Sequence, residues 1–337
     1  MKVKYFPFQP HCFAFGGFDL QMTNILNAVR KAGVDAEKLD IWSRDNDFDI
    51  IHLWGVGLNN YQIIYWAKKS GKAIIATVLV PYYDTMRSKI GYFYRRFFSR
   101  SERQLIHNLN LLDKIVVVNK NQQKVLNRYY HVPYSKIEII PHLIEDKYFE
   151  IPHFAFNEKY QVENYVLCTG NISSRKNQCN LALACINLNA SLVLIGKVLD
   201  GESAYGNKLE KLCSSHKNIV WIKELPNASE ELVTAYYNCL IFALPSKNET
   251  QPISALEAVA MKKPIVLLDR KYAYQDYYKD AFLCKSQSVG DIEKTLISAL
   301  NSKGIIPGNN EILNCKEERV GRSYKKCYEK LVLKDLY

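Results

Sequence analysis

Two glutamates, Glu249 and Glu257, lie with seven residues between them in the run Glu-Thr-Gln-Pro-Ile-Ser-Ala-Leu-Glu-Ala-Val-Ala-Met-Lys-Lys-Pro, residues 249–264. An apolar strand pattern, 240–244, and a Pro245-Ser246 turn precede the run, so Glu249 falls in a strand-to-helix loop. Glu257 falls two turns inside an Ala-rich helix. A helix start carries N–H groups without intrahelical partners and the positive end of the dipole, which suits a phosphate. A carboxylate two turns in can accept from sugar hydroxyls beside that phosphate. The layout fits a nucleotide-sugar site. Taken singly, each acid has an ordinary reading, Glu249 as a capping acid and Glu257 as a solvated helix residue.

A second constellation is Gly170-Asn-Ile-Ser-Ser-Arg-Lys-Asn177, directly after the strand pattern 165–169. Arg175 and Lys176 there are either two solvated loop cations or a basic pair that neutralises charge on a leaving phosphate. Gly16 and Gly17, in Phe15-Gly-Gly-Phe18 after the first strand pattern, allow close backbone approach to a diphosphate or make a simple turn. Lys223 opens a Lys-Glu-Leu-Pro loop that reads equally well as an ordinary connection. Asp45, Asp47 and Asp49 precede an apolar strand instead of ending one, the wrong order for a metal-binding Asp-x-Asp, so a solvated turn is expected. The seven histidines lack ligand spacing, and His52 sits mid-strand as a core residue. No metal and no cofactor is expected.

These residues need elements to hold them, and the chain alternates strand and helix patterns throughout. Short β-branched runs at 2–8, 49–53, 73–80, 114–118, 165–169, 191–195, 219–222, 240–244 and 264–268 are of the buried parallel type. Helical patterns lie between them, at 18–32, 61–70, 87–112 and 122–130 among others. Such alternation predicts parallel sheets with right-handed crossovers. At 337 residues two domains are the better expectation. Residues 151–162 interrupt the alternation and read as an interdomain linker, and 317–334 as a basic amphipathic helix after a Gly/Asn-rich loop.

Apolar residues at 48% and charged residues at 23% are globular values, with no membrane-span run and no signal-peptide pattern. Nine scattered cysteines without a Cys-x-x-Cys pair point to a reducing cytosol. The net charge of +11 suits nucleic acid, an anionic membrane or phosphorylated small molecules. Nucleic acid is set aside, since no run of five like charges and no zinc-finger or RNP pattern occurs. Residues 86–100 hold five cations and five aromatics. They read as an interfacial helix whose Arg95, Arg96 and Arg100 meet anionic headgroups, as a core helix with wet arginines, or as an acceptor wall.

The run from Pro245-Ser246 to Pro264 resembles the Glu-x7-Glu motif of the retaining GT-B glycosyltransferases, above all family 4, and Gly170–Asn177 resembles that family's Gly-Arg-Leu-x-x-x-Lys segment. The resemblance implies an α/β protein of the GT-B fold. Two Rossmann-like domains with parallel sheets would face each other across a cleft, with a C-terminal helix crossing back to the first. The expected boundaries are 1–150 for an acceptor domain, 151–163 for a linker, 164–315 for a nucleotide-sugar domain and 316–337 for the returning helix. It also implies a retaining, metal-independent hexosyl transfer from a UDP or GDP sugar to a glycan or glycolipid hydroxyl. Surface polysaccharide assembly, in the cytoplasm or peripherally on the inner membrane face, would be its setting. A catalytically silent GT-B subunit that binds nucleotide or glycan is the alternative.

By the same resemblance Glu249 holds the donor sugar, Glu257 the ribose diol, and Arg175 and Lys176 the β-phosphate. Thr250, Gln251, Pro252, Ile253 and Ser254 form the loop that presents amides to the diphosphate. Gly16 and Gly17 approach it from the first domain, Asn171 occupies the family's arginine position, and Lys223 lies in the loop lining the base. Pro252 and Lys262 stand where the family has glycine, and Leu79 where many members have histidine. Tyr82, Tyr83 or Asp84 would then contact sugar or acceptor.

Overall fold

The computed structural model describes residues 1–13, 16–302 and 310–333. Phe15 and most of the Gly/Asn-rich loop before the last helix lie outside the described residues. The chain divides into two compact units, Met1–Leu143 with Asn314–Tyr337, and Ile144–Leu313.

In the first unit, strands β1 (Lys2–Pro7), β2 (Asp35–Lys38), β3 (Ile50–Trp54), β4 (Ala73–Thr77), β5 (Lys114–Val117) and β6 (Ile137–Ile139) form one parallel sheet in the order β2-β1-β3-β4-β5-β6. Helices α1 (Gly17–Lys31), α2 (Tyr61–Lys69), α3 (Met86–Phe98), α4 (Arg100–Leu111) and α5 (Lys120–Tyr130) connect them. All five residues of β3 are buried because both faces of the sheet are covered. Ile50 and Trp54 join a core with α1, whereas Ile51 and Leu53 join one with α2, α4 and α5. The single helix expected over 87–112 is broken at Ser99, whose extended backbone lets its hydroxyl accept from Glu102 N at 3.4 Å as the N-cap of α4.

The second unit carries β7 (Tyr165–Thr169), β8 (Ser191–Ile195), β9 (Ile219–Ile222), β10 (Ile241–Leu244), β11 (Ile265–Leu268) and β12 (Phe282–Cys284), all parallel in the order β12-β11-β10-β7-β8-β9. Its helices are α6 (Phe156–Tyr160), α7 (Gln178–Asn187), α8 (Ser203–Ser215), α9 (Glu230–Asn238), α10 (Ile253–Ala260) and α11 (Val289–Asn301). Residues 151–163 are no free linker. Phe156 is fully buried against Tyr165, and Tyr160 donates to Glu231 at 2.6 Å, which ties the segment into this unit.

The last helix, α12 (Glu317–Val332), belongs to the first unit and lies on α1. Its Tyr328 hydroxyl meets Tyr5 at 2.6 Å and His52 Nδ1 at 2.7 Å. His52 Nε2 reaches Thr77 Oγ1 at 2.9 Å, and Thr77 in turn meets the Tyr324 hydroxyl at 3.0 Å. Every member is buried, so the network satisfies groups that would otherwise be orphaned between sheet and helix. Burial drives the His52 pKa down to about 3, so the imidazole is neutral and structural.

The closest helix contact is at Gly321, where a Cβ would stand 2.5 Å from the carbonyl oxygen of Ala28. Gly321→Val is therefore expected to lower unfolding free energy by about 1–3 kcal/mol through overpacking. Gly290→Ala, into open space at the start of α11, is expected to be neutral or stabilising. Urea denaturation of both variants checks the contrast, and equal effects would count against tight α1–α12 packing.

Candidate functional site

In the second sheet β7 and β10 are neighbours, yet the chain leaves β7 towards β8 and leaves β10 towards β11 on the opposite side. The loops after these two strands diverge, opening a crevice at their carboxyl ends. Topology thus brings the two constellations of this unit together, residues 170–177 on one side and 245–252 on the other.

Gly170 has φ +112° and Gly196, after β8, φ +152°, both outside the range of L side chains. A Cβ on Gly196 would overlap the Gly170 carbonyl, and one on Gly170 would overlap Lys176 Nζ. The lysine ammonium is folded back over the end of β7, in space only a glycine leaves. No carboxylate pairs with Lys176 among the described residues. Arg175 differs. Its guanidinium binds Glu249 Oε1 at 2.7 Å, Ser246 Oγ at 3.4 Å and the Asn248 carbonyl, bridging the crevice. The expected basic pair is therefore split, with Arg175 engaged by protein and Lys176 open. Asn171 is exposed beside them.

Glu249 Oε1 also accepts from Ser246 Oγ at 2.9 Å. Tyr272 donates to the Ser246 carbonyl at 2.9 Å, Gln275 to that of Thr250 at 2.9 Å, and Tyr278 to that of Pro252 at 3.1 Å. Gln251 is buried and donates to Gln275 at 3.0 Å. The loop is held by the segment after β11, whose tyrosines belong to no motif in the sequence.

Pro252 is the N-cap of α10, so its missing N–H is one the helix does not use. No side chain caps α10 and its first turn, including Ile253 and Ser254, holds no acid. That leaves the positive end uncompensated by its own sequence. At α1 the reverse holds. Gly16 N donates to the Asp19 carboxylate at 3.0 Å, placing an acid at the helix start beside Gly17. Lys262 adopts φ +57° after α10, the left-handed turn that glycine would make without strain.

Glu257 is buried, with only 6% of its surface exposed, contrary to a solvated helix residue. Its Oε2 accepts from the Tyr236 hydroxyl at 2.6 Å, and that hydroxyl meets Thr169 Oγ1 at the end of β7. Tyr148 stacks edge-on against Tyr236 with centroids 5.5 Å apart. Its buried hydroxyl makes no hydrogen bond of regular geometry among the described residues but lies beside the Glu257 carboxyl, close enough to favour the ionised form. Burial first, then the charge of Glu145, push the Glu257 pKa up to about 7, against the opposing hydroxyls of Tyr236 and Tyr148 and the Lys176 charge.

Other expected contacts are engaged elsewhere. Lys223 pairs with Glu210 and lies over the Trp221 ring, 3.1 Å from its centroid. Tyr83 is a core residue, its ring against Tyr92 and Tyr129 and its hydroxyl 2.9 Å from that of Tyr130. Tyr82 donates to Asn119 at 3.1 Å, and Asp84 is half-buried nearby in sequence. The Asp45–Asp49 stretch sits at the amino end of the first sheet, where Asp47 pairs with Lys2 and Asp49 accepts from the Lys2 amide at 2.7 Å. No cluster of three potential metal ligands occurs among the described residues.

The sequence profile of the glycosyl transferases group 1 family matches residues 150–316, and that of glycosyltransferase family 4 matches 23–148. The chain is a family 4-like glycosyltransferase of the GT-B fold. No curated protein matches it in sequence. Among solved structures, the glycosyltransferase is similar to Anabaena HepE in complex with UDP and glucose, with TM-score 0.73 and 13% identity over 98% of this chain and 99% of that one. It is similar to a sucrose-phosphate synthase from Thermosynechococcus elongatus, with TM-score 0.74 and 13% identity over 99% and 100%. WaaG, a glycosyltransferase involved in lipopolysaccharide biosynthesis, aligns at TM-score 0.58 and 15% identity over 96% and 95%.

Three side chains of this glycosyltransferase's crevice escaped the sequence reading: Tyr148, Tyr236 and Ser173. The Ser173 hydroxyl is buried without a partner among the described residues. Tyr236 lies in an apolar helical pattern and Tyr148 just before the supposed linker, so neither carried a local signal.

The raised Glu257 pKa has a definite sign. Between the unfolded value of 4.5 and about 7 the native enzyme keeps a proton that the unfolded chain has released, so stability falls as pH rises through this window. The full loss is on the order of 3 kcal/mol. Glu257→Gln is expected to abolish this part of the pH dependence, so its stability relative to wild type improves from about pH 5 to about pH 8. Urea unfolding at both pH values measures it; a pH-independent difference would mean the carboxyl is ionised throughout.

Proposed function

We propose that the enzyme transfers a sugar from a nucleoside diphosphate sugar to a hydroxyl of a glycan or glycolipid, with retention and without a metal. The observation that carries this reading is Lys176, an ammonium without a carboxylate ion pair among the described residues, at the end of β7 and across the crevice from a helix start with no acid of its own. Both features suit a diphosphate. The UDP and glucose named for HepE support a UDP sugar as donor. Glu257, with the Tyr148 hydroxyl beside it, would take the ribose diol, and Glu249, oriented by Arg175 and Ser246, the sugar hydroxyls.

The chemistry needs no protein nucleophile. The acceptor oxygen bonds to the anomeric carbon while the sugar–phosphate bond breaks, its electron pair passing to the β-phosphate oxygen. The acceptor proton goes to that same oxygen on the same face. Lys176 and the first amides of α10 stabilise the growing charge, which is catalysis by preorganised electrostatics. Arg175 acts one step back, by positioning Glu249.

The lipopolysaccharide role named for WaaG supports an acceptor in surface-glycan assembly. Nine free cysteines, seven of them buried, fit a reducing cytosol. No described helix is long and apolar enough to cross a membrane.

Lys176→Ala is expected to lower kcat by about 10²–10³ while changing donor affinity little, because its contribution grows with leaving-group charge. Steady-state rates beside calorimetric UDP binding separate the two, and a loss confined to affinity would assign Lys176 to ground-state binding. Glu257→Ala is expected to weaken nucleotide binding by about 1.5–3 kcal/mol in a folded protein. EDTA should leave the wild-type rate unaltered. Activity abolished by chelation and restored by manganese would overturn the metal-free mechanism.

A further inference from the structure

Helix α3 turns its largest apolar side chains away from the protein. Met86, Ile90, Phe93, Tyr94, Phe97 and Phe98 are 53–72% exposed. At ~100° per residue these six fall within an arc of ~140°, one continuous stripe. Only Tyr92, on the opposite side, is buried. It donates to the Tyr129 carbonyl and packs edge-on against that ring at 5.0 Å, pinning the helix by its inner face. A core helix would do the reverse and bury the stripe.

The same segment, residues 86–100, contains no acid. Of its five cations Arg95 is 3.8 Å from Glu102 and Arg96 binds His131, so these two are partly engaged. Arg87, Lys89 and Arg100 have no carboxylate partner among the described residues. On the helical projection Arg87 lies within one flank of the stripe, between Tyr94 and Phe98, and Lys89 lies just beyond the other. An apolar arc of aromatics edged by unpaired cations matches the boundary of an anionic lipid leaflet, where rings enter the acyl region and cations meet phosphates. A second copy of this chain is a poorer fit, because facing stripes would also bring Arg87 and Lys89 together.

We infer that α3 is a lipid-docking helix that holds the protein on an anionic membrane surface through its aromatic stripe, with Arg87, Lys89 and Arg100 reading headgroup charge. This extends the glycolipid reading to a surface but does not depend on it, since docking requires neither donor nor turnover.

Sedimentation with phosphatidylcholine vesicles, with and without phosphatidylglycerol, tests the inference without any nucleotide present. Wild type is expected to bind the anionic vesicles in preference to the neutral ones, more weakly as salt rises. Combined Phe93→Ser, Phe97→Ser and Phe98→Ser should lower the partition coefficient at least tenfold on both kinds of vesicle. Arg87→Gln with Lys89→Gln and Arg100→Gln should lower it roughly fivefold per cation on anionic vesicles alone. Five of the six substitutions are at exposed positions and Lys89 is half-buried, and an unchanged thermal midpoint confirms the fold. Wild type that ignores anionic vesicles at low salt, or a serine variant that binds as wild type does, overturns the inference. So does a wild-type dimer by light scattering that the serine variant loses, since a second copy would then cover the stripe.

Discussion

The Arg175–Glu249 ion pair spans the one place in the second sheet where consecutive loops part company. A parallel sheet wound outward from its centre must leave a crevice there, and an open crevice has no inherent width. The guanidinium sets that width by binding a carboxylate, a hydroxyl and a backbone carbonyl of the β10 loop at once. Behind it, Lys247 N returns a 2.9 Å bond to the Arg175 carbonyl. With the loops tied, Glu249 has one orientation and Lys176 is left without a carboxylate ion pair among the described residues. The pair is partly solvent-exposed, so its net stabilisation is small. Its consequence is geometric.

Glu257 illustrates what such a crevice demands energetically. A carboxylate set into the crevice is placed out of water, and burial favours its proton. Tyr236 offsets part of that cost by donating to Oε2, and Lys176 contributes an opposite charge from the neighbouring loop. A pKa near neutrality leaves the group able to accept hydrogen bonds when ionised without a fully charged buried acid in the empty state. The Tyr148 hydroxyl, buried beside it, lowers the same cost.

The first unit spends its buried polar groups differently. His52, which by residue type could have been a catalytic base, is consumed by Thr77 and Tyr328 in fastening α12 to the sheet. Its neutrality follows from burial, and its function is structural. Asp19 likewise serves its own helix, capping α1 where a phosphate had been expected. The unassigned chemistry of this unit lies on its outside, in the aromatic stripe of α3.

The central strands, the two divergent loops, the acid pair and Lys176 were all readable in the sequence. Central strands are buried on both faces and so appear as unbroken apolar runs, and a loop motif is located by the strand just before it. The edge strand β2 was not found, because Asp-Ala-Glu-Lys is solvated along one side and carries no apolar signal, and β12, Phe-Leu-Cys, is apolar but only three residues long. Only the tertiary structure decided what each charged or apolar face meets. Arg175 and Glu249 are 74 positions apart, and no local pattern reveals that one neutralises the other. The proton on Glu257 depends on Tyr236 and on a crevice floor assembled from three segments. The aromatics of α3 have the same helical spacing whether a sheet covers them or nothing does. Periodicity specifies which side chains share a face; burial and pairing, which set their energies, come from residues brought near by the fold.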